Sequence, residues 1–471
     1  MTNTSIHRRS FLRAGCALAA MPLLPASALA APAARELHAR EGSAALLGPG
    51  NPETAIWGYN GIAGGPFLRY RQGDELRISL RNGLGQGTSI HWHGIRLPNP
   101  MDGVSGLTQP PVPGGGSFEY RFKLPDAGTY WYHSHNRSWE QMARGLYGML
   151  VVEEAEPPQA DQDLAFVVDD WRLDNRGQID SQSFGAMPDW AHAGRLGNWV
   201  TVNGIPGPVF KGRRNDRLRL RILNAANARI FTLAFPGLNP WVIALDGQPI
   251  KAWRLSRANL TLGPGQRADI LVDITGDSDT SAPVRALFPR QTVDIATIKV
   301  GPDAPRRRTP LGRPKRLADN PLPGPLSLTD AVAAPLRMEG GAMGGMMGGM
   351  MGGRMLGMRE MMSQGKVWAF NGVAGLPDKP LITVRQGQTV RIDIDNANRW
   401  PHAMHLHGHH FRVVGRQGRP VASSPWRDTE LVQPGERVSI AFRASEPGKW
   451  LFHCHMLEHQ AGGMATWIEV T

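Results

Sequence analysis

Three stretches of the chain alternate apolar and polar residues in the same phase. RQGDELRISLRN (residues 71–82), RRNDRLRLRILN (213–224) and RQGQTVRIDIDN (385–396) each read as a strand with one face buried. Each ends in an asparagine at a predicted turn. Arg77, Arg219 and Arg391 fall at equivalent places, 142 and then 172 residues apart. The second interval is longer by 30 residues, about the length of a methionine- and glycine-rich segment at 338–362. The pattern predicts three related β-units with an insertion before the third. Abundant glycine and proline (56 and 38 residues) agree, since they favour short strands and turns over long helices.

The first and third units share more than the alternation. HWHG (91–94) answers HLHG (405–408), and GTYWYHSH (128–135) answers GKWLFHCH (448–455). Paired short strands with glycine-rich turns point to β-sandwich domains. The middle unit has lost these motifs. His192 is the single histidine between His135 and His402, and it reads as a loop residue of an architectural domain.

Ten of fifteen histidines therefore fall in four clusters: His91/His93, His133/His135, His402/His405/His407 and His453/His455/His459. Residues i and i+2 of a strand point to one face, so His-x-His aims two imidazoles at one point, where neutral nitrogens can bind a metal. In HCH, His453 and His455 face one side and Cys454 the other. One strand could thus serve two metal sites joined through the cysteine's own backbone. On the cysteine side, Cys454, His459 and Met464 follow at five-residue steps, and His402 joins them from another cluster. Two histidines, a thiolate and a long axial methionine describe a blue-copper electron-transfer site. Zinc also accepts cysteine and histidine but has no redox role and no use for the thioether.

The motifs HWHG, HSH, HAMHLHG and HCHMLEHQAGGM together resemble those of the multicopper oxidases, and the resemblance spans the mature chain. It implies an all-β fold of three cupredoxin-like Greek-key β-sandwich domains and four copper ions. By this resemblance His402, Cys454 and His459 hold a type 1 copper with Met464 axial. His91 and His405 hold a type 2 copper, and His93, His133, His135, His407, His453 and His455 a type 3 pair. His409 and His410 lie outside the pattern. The implied reaction is one-electron oxidation of a reductant at the type 1 site, relayed through Cys454 and coupled to reduction of dioxygen to water at the trinuclear cluster. Asp102, in LPNPMDG, matches a family acid and is the candidate proton donor. Relatives that oxidise cuprous ion carry another acid directly after the second type 1 histidine, where this chain has Gln460. Asp428, in WRDTE, reads either as an acceptor orienting a ligand histidine or as a surface aspartate.

Composition narrows the setting. RRSFLR (8–13), a short apolar stretch and ASALA (26–30) read as a twin-arginine signal peptide with its cleavage site, which implies export to the periplasm without a stable membrane anchor. The net charge of +12 falls to +9 when residues 1–30 are removed. Part of the remainder lies in RRRTPLGRPKR (306–316), which in an exported protein reads as a solvated basic linker and not as a nucleic-acid site. Cys16 leaves with the signal, so Cys454 has no disulfide partner within the chain.

The segment at 338–362 holds ten methionines and nine glycines. It reads as a flexible thioether-rich loop, the alternative being a low-complexity linker. Bacterial copper-tolerance oxidases carry a methionine-rich insert at this place. Met343, Met346, Met347, Met350, Met351, Met355 and Met358 are candidate donors for Cu(I), which prefers soft thioether sulfur. Those relatives also use an aspartate and a methionine just before the first type 1 histidine, where this chain has Asn398 and Trp400. The domains are expected at 38–156, 160–302 (no copper ligands) and 366–471, after the signal at 1–30, with the basic linker and insertion at 303–365. The leading expectation is a monomeric periplasmic cuprous oxidase for copper tolerance, with twin-arginine export machinery and dioxygen as partners. The alternatives are a laccase acting on phenols or aromatic amines, and a non-catalytic copper-sequestering protein. Loss of cluster histidines would mark the last, and none is missing.

Overall fold

The computed structural model describes residues 35–255 and 259–471; the expected signal peptide, with Cys16, lies outside them. The alternating stretches become the strands Glu75–Asn82, Arg217–Asn224 and Thr389–Asn396. Each has a parallel neighbour on one side and an antiparallel neighbour on the other. These are Arg35–Ala44 and Ser117–Lys123 in the first unit, and Gln162–Trp171 and Arg267–Asp273 in the second. In the third they are Val332–Gly340 and Arg437–Arg443. Every unit adds a second sheet, so the chain is all-β and built as three two-sheet sandwiches.

The terminal asparagines have a common task. Asn82, Asn224 and Asn396 are buried, and each donates its amide to backbone carbonyls of the following turn and of a neighbouring segment. Each side-chain oxygen also accepts a backbone N–H two residues on, from Leu84, Ala226 and Asn398. The asparagine thus closes an Asx turn and satisfies polar groups that burial would otherwise leave unpaired.

The half-buried expectation fails for the middle copy. All eight residues of Arg217–Asn224 are buried, because its polar face packs against the first unit. Leu218, Leu220 and Ile222 enter the middle unit's own core. On the other face Arg219 pairs with Glu154 (2.5 Å) and Asp269 (2.5 Å), and Arg221 with Asp163 (2.7 Å). Thr129 of the first unit donates to Asp269 at 2.6 Å. The cores of the first and third units, by contrast, form one continuous apolar cluster.

Two further expectations change. The strand Val332–Gly340 lies ahead of residue 366, yet it is hydrogen-bonded between Thr389–Asn396 and Trp368–Phe370. Its buried Ala334, Leu336 and Met338 alternate with exposed residues, so the third sandwich begins here and Met338 belongs to it. The methionine segment is also folded and not a loose string. Gly348–Met351 and Arg354–Gly357 form a hairpin with Met350 opposite Met355, followed by the helix Met358–Ser363. Met361 anchors it among Leu356, Ala369 and Ala374. Gly341 permits its close approach: at φ +72, a Cβ would lie 2.0 Å from the Trp368 ring. Met343, Met347 and Met355 remain exposed at 74%, 85% and 71%, while Met346, Met350, Met351 and Met358 are half-buried.

The basic run is strapped down more than a solvated linker would be. Arg307 pairs with Asp161 (2.6 Å), Arg306 with Asp216 (3.3 Å), and Arg313 donates to the Ala252 carbonyl. Among the described residues no helix is long and apolar enough to cross a membrane.

The buried arginine row predicts a stability effect. Arg219→Met removes the nearer cation from Asp269 and Glu154, leaving Arg221 at 3.3 and 3.7 Å, and should destabilise the protein by about 3–5 kcal/mol. Urea unfolding followed by fluorescence would measure this; a loss below about 0.5 kcal/mol would show that the row carries no stability.

Candidate metal centres

Two antiparallel strand pairs set the histidines in place. Ile90–His93 pairs with Gly128–Ser134, which puts His91 opposite His133 and His93 opposite Trp131. His402–Leu406 pairs with Gly448–Cys454, which puts His405 opposite His453 and Met404 opposite Cys454. The two arrays meet between the first and third units. His93 stacks on His405 and His91 on His407, with ring centroids 3.7 Å apart in both pairs.

The hydrogen bonds fix which nitrogen carries the proton. An oxygen of a carbonyl or carboxylate only accepts, so a ring nitrogen beside one is an N–H donor and its partner nitrogen holds a lone pair. His91 Nδ1 donates to the Asp102 carbonyl (2.9 Å) and His405 Nδ1 to the Asp428 carbonyl (2.9 Å). Their Nε2 atoms then face one another at 3.4 Å, both as acceptors. His407 Nδ1 donates to Asp102 Oδ2 (2.9 Å) and His453 Nδ1 to the Cys454 carbonyl (2.9 Å), leaving two more Nε2 lone pairs 3.1 Å apart. His93 Nε2 donates to Asp428 Oδ1 (3.0 Å) and His133 Nδ1 to the Ser134 carbonyl (3.0 Å). The remaining nitrogens of that pair, with His135 Nε2 and both nitrogens of His455, are buried without a partner. Buried acceptors facing each other repel, and buried polar atoms without partners are costly. A cation between them relieves both penalties, and ligand imidazoles commonly give their other N–H to a carboxylate or carbonyl.

The cysteine centre follows the same rule. His402 Nε2 donates to Asn398 Oδ1 (3.0 Å) and His459 Nε2 to the His192 carbonyl (2.7 Å). The two Nδ1 atoms lie 3.1 Å apart, with Cys454 Sγ at 3.5 and 3.8 Å. His459 reaches this point because the chain turns after Cys454 into the short helix Leu457–Ala461. Met464 is buried in the next turn, where its backbone bonds to Cys454 and His459. Trp368 covers the pair, its ring centroid 5.1 Å from His402 and 4.5 Å from His459. Two imidazoles and a thiol in one dry pocket suit a soft, redox-active ion such as copper.

Burial tunes the donors. It pushes His453 down to about 3 and His459 to about 4, and it holds His93, His133, His135, His402, His405, His407 and His455 well below their ordinary value. These imidazoles are neutral at ordinary pH, so no proton competes for the lone pairs. Burial also pushes the Cys454 thiol up to about 12, so a bound metal must displace its proton.

The eleven histidine and cysteine candidates lie in these clusters, Met464 is buried beside the cysteine centre, and Asp102 joins two of the rings, His91 and His407. Asp428 is not a surface residue; it is fully buried and accepts from His93. His409 spends both nitrogens, donating to the His407 carbonyl and accepting from the Ser445 N–H. The sequence reading did not find the His192 carbonyl, Trp368, or Arg267, whose guanidinium donates to both oxygens of Asp428 (2.8 and 2.6 Å). It noted Asn398 only as a departure, although its amide orients His402. Arg267 and the His192 carbonyl have no motif, because the residues they bond, Asp428 and His459, lie 161 and 267 positions away along the chain.

Comparison with known proteins gives a consistent result. Residues 43–157, 162–282 and 354–471 each match a family described as multicopper oxidase. The chain is 31% identical to the multicopper oxidase MmcO of Mycobacterium tuberculosis, covering 98% of this chain and 96% of that protein. It is 26% identical to a copper resistance protein A homolog of Pseudomonas syringae pv. tomato, over 89% of this chain and 90% of the other. Among solved structures, a multi-copper oxidase from Pseudomonas thermotolerans superposes with a TM-score of 0.80 at 33% identity, covering 93% of this chain and 98% of that one.

The depressed histidines predict an acid-labile metal-free protein. The unfolded chain binds protons on these imidazoles as pH falls below 6.5, whereas folded His459 resists until about 4 and His453 until about 3. Their contribution is therefore full above pH 6.5 and is lost as pH falls through that window. Thermal unfolding of the chelator-stripped protein should show a midpoint dropping steadily from pH 6.5 to 4. A midpoint that does not move across that range would contradict this.

Proposed function

The chain belongs to the multicopper oxidase family, and on that premise we propose that it is a periplasmic cuprous oxidase that couples Cu(I) oxidation to four-electron reduction of dioxygen. The observation that carries this reading is the convergence of buried lone-pair nitrogens into two neighbouring centres joined at Cys454. His402, Cys454, His459 and Met464 would hold a type 1 copper. His91 and His405 would hold a type 2 copper, and His93, His133, His135, His407, His453 and His455 a type 3 pair. Bound copper supplies one-electron acceptance from the reductant at the first centre and dioxygen reduction to water at the second.

The protein's own groups supply the rest. Cys454 lies between His453 and His455 in sequence, so a covalent path of one residue connects the two centres. Asp102 is the acid placed to handle protons. Its Oδ2 accepts from His407, while Oδ1, 3.1 Å from His91 Nδ1, is buried without a hydrogen-bond donor and faces the histidine centre. Gln460 carries no exchangeable acid proton, which leaves this task to Asp102.

The preference for Cu(I) rests on the methionine hairpin. Ala342 N–H donates to the Ala191 carbonyl (2.6 Å), and Trp400 Nε1 donates to the Ala342 carbonyl (3.2 Å). These bonds seat the hairpin beside the segment that caps His459, and its exposed thioethers offer soft donors there. Copper tolerance in an exported protein is the setting that RRSFLR and this hairpin favour together. A second reading, an aromatic reductant, has one observation behind it. A cavity of about 430 Å³ lies against Pro401 and Met456, the chain neighbours of His402 and His455, and its wall includes Leu196, Ile230 and Phe288.

Oxygen uptake distinguishes the readings. With Cu(I) as sole reductant, four ions should be consumed per dioxygen without peroxide release. Replacing Met343, Met347 and Met355 by leucine should raise the KM for Cu(I) by about tenfold relative to that for a phenol. Equal KM ratios before and after would favour the aromatic reductant. Asp102→Asn should lower kcat by about a hundredfold or more; a change within about twofold would remove Asp102 from proton delivery.

A further inference from the structure

One position differs among the three units in a way the repeat does not require. The antiparallel partner of the repeated strand begins at Ser117, Arg267 and Arg437, in register with Arg81, Leu223 and Asp395. Ser117 and Arg437 are exposed, whereas Arg267 has no exposure at all. Its guanidinium leaves the middle unit to reach the other two. Nη1 and Nη2 donate to Asp428 Oδ1 (2.8 Å) and Oδ2 (2.6 Å), and Nε donates to the Thr129 carbonyl (3.2 Å).

Asp428 transmits that hold to the histidines. Its Oδ1 accepts from His93 Nε2 (3.0 Å) and from Thr429 Oγ1 (2.8 Å), and its backbone carbonyl accepts from His405 Nδ1 (2.9 Å). The same loop of the middle unit closes on the site. Gly265 has φ +82, and a Cβ there would lie 3.0 Å from His93 Cε1 and 3.1 Å from the His455 ring. Gln266 donates its amide to the Thr429 carbonyl at 2.8 Å.

We propose that Arg267 is a positioning residue for the histidine-held copper centres, acting through Asp428 on His93 and His405. The middle unit, which offers no ligand, is in this way a working part of the centre. The inference rests on the ligand roles proposed above for these two histidines. Its physical basis is geometric. A carboxylate held at both oxygens by a planar fork is fixed in rotation about its Cβ–Cγ bond, and a point charge cannot do this. Among the described residues Arg267 makes the one hydrogen bond to Oδ2. Without it the carboxylate is held at Oδ1 alone, by Thr429 and His93, and can pivot about that oxygen, which shifts the His93 ring that donates to it.

The test uses copper-loaded full-length protein with Arg267→Gln and Arg267→Lys. Copper content, the blue absorption of the cysteine centre, the EPR signal of the histidine-only centre and the KM for dioxygen are measured together. Both variants should keep the blue absorption, because that centre has no contact with Arg267, and both should show an altered histidine-centre EPR signal. The KM for dioxygen should rise by about tenfold in the glutamine variant, with the lysine variant between it and wild type. Wild-type EPR and KM in either variant would overturn the proposal. Equal loss of both spectroscopic signals in the lysine variant would also overturn it, since that marks a general structural role. If wild-type protein itself lacked a histidine-only copper signal, the ligand assignment would fail before the role of Arg267 did.

Discussion

The centre of this protein depends on one constraint. Each clustered imidazole whose tautomer is fixed by hydrogen bonding gives its single N–H to an oxygen on the outer side, so its lone pair must point inward. Carbonyls of Asp102, Ser134, Asp428, Cys454 and His192 do this for five rings. Asp102, Asp428 and Asn398 do it for three more through their side chains. In the dry interior the facing lone pairs repel until a cation joins them, so metal binding and folding are coupled at this site. The protein holds its ligands ready by making the alternative, a proton on the inner nitrogen, unfavourable through burial.

The three-unit architecture follows from the number of donors. A two-strand pair presents only a few histidines on one face, so enclosing the histidine centre takes one array from the first unit and one from the third. Their shared apolar core brings the arrays together. The middle unit keeps its own core and binds the first unit through an apolar cluster around Trp131, Trp171 and Trp199 and through a buried row of arginines and carboxylates. Such pairs are weak sources of stability but hold one geometry, because a shifted interface would leave charges buried and unpaired.

The sequence made much of this legible. Strand alternation located the three repeats, and the matching His-x-His motifs located the histidines that cluster, because side-chain direction in a strand has period two. It failed where burial or pairing came from distant segments. Arg217–Asn224 looked half-exposed because its alternation is that of a surface strand, although both faces are covered. The strand Val332–Gly340 was hidden by the low-complexity run it leads into. Met361 gave no sign that it would anchor a hairpin among Leu356, Ala369 and Ala374. Arg267 and the His192 carbonyl were invisible for a simpler reason: nothing local distinguishes them from any strand arginine or loop peptide.

The most direct test of the account is copper quantitation with optical and EPR spectra on wild-type protein and on Cys454→Ser. Convergent lone pairs at two linked centres predict four copper ions per chain, a blue absorption and two distinct EPR signals. In the serine variant the blue absorption and one ion should be lost while the histidine-centre signal remains. A single copper per chain, or zinc in its place, would contradict the account.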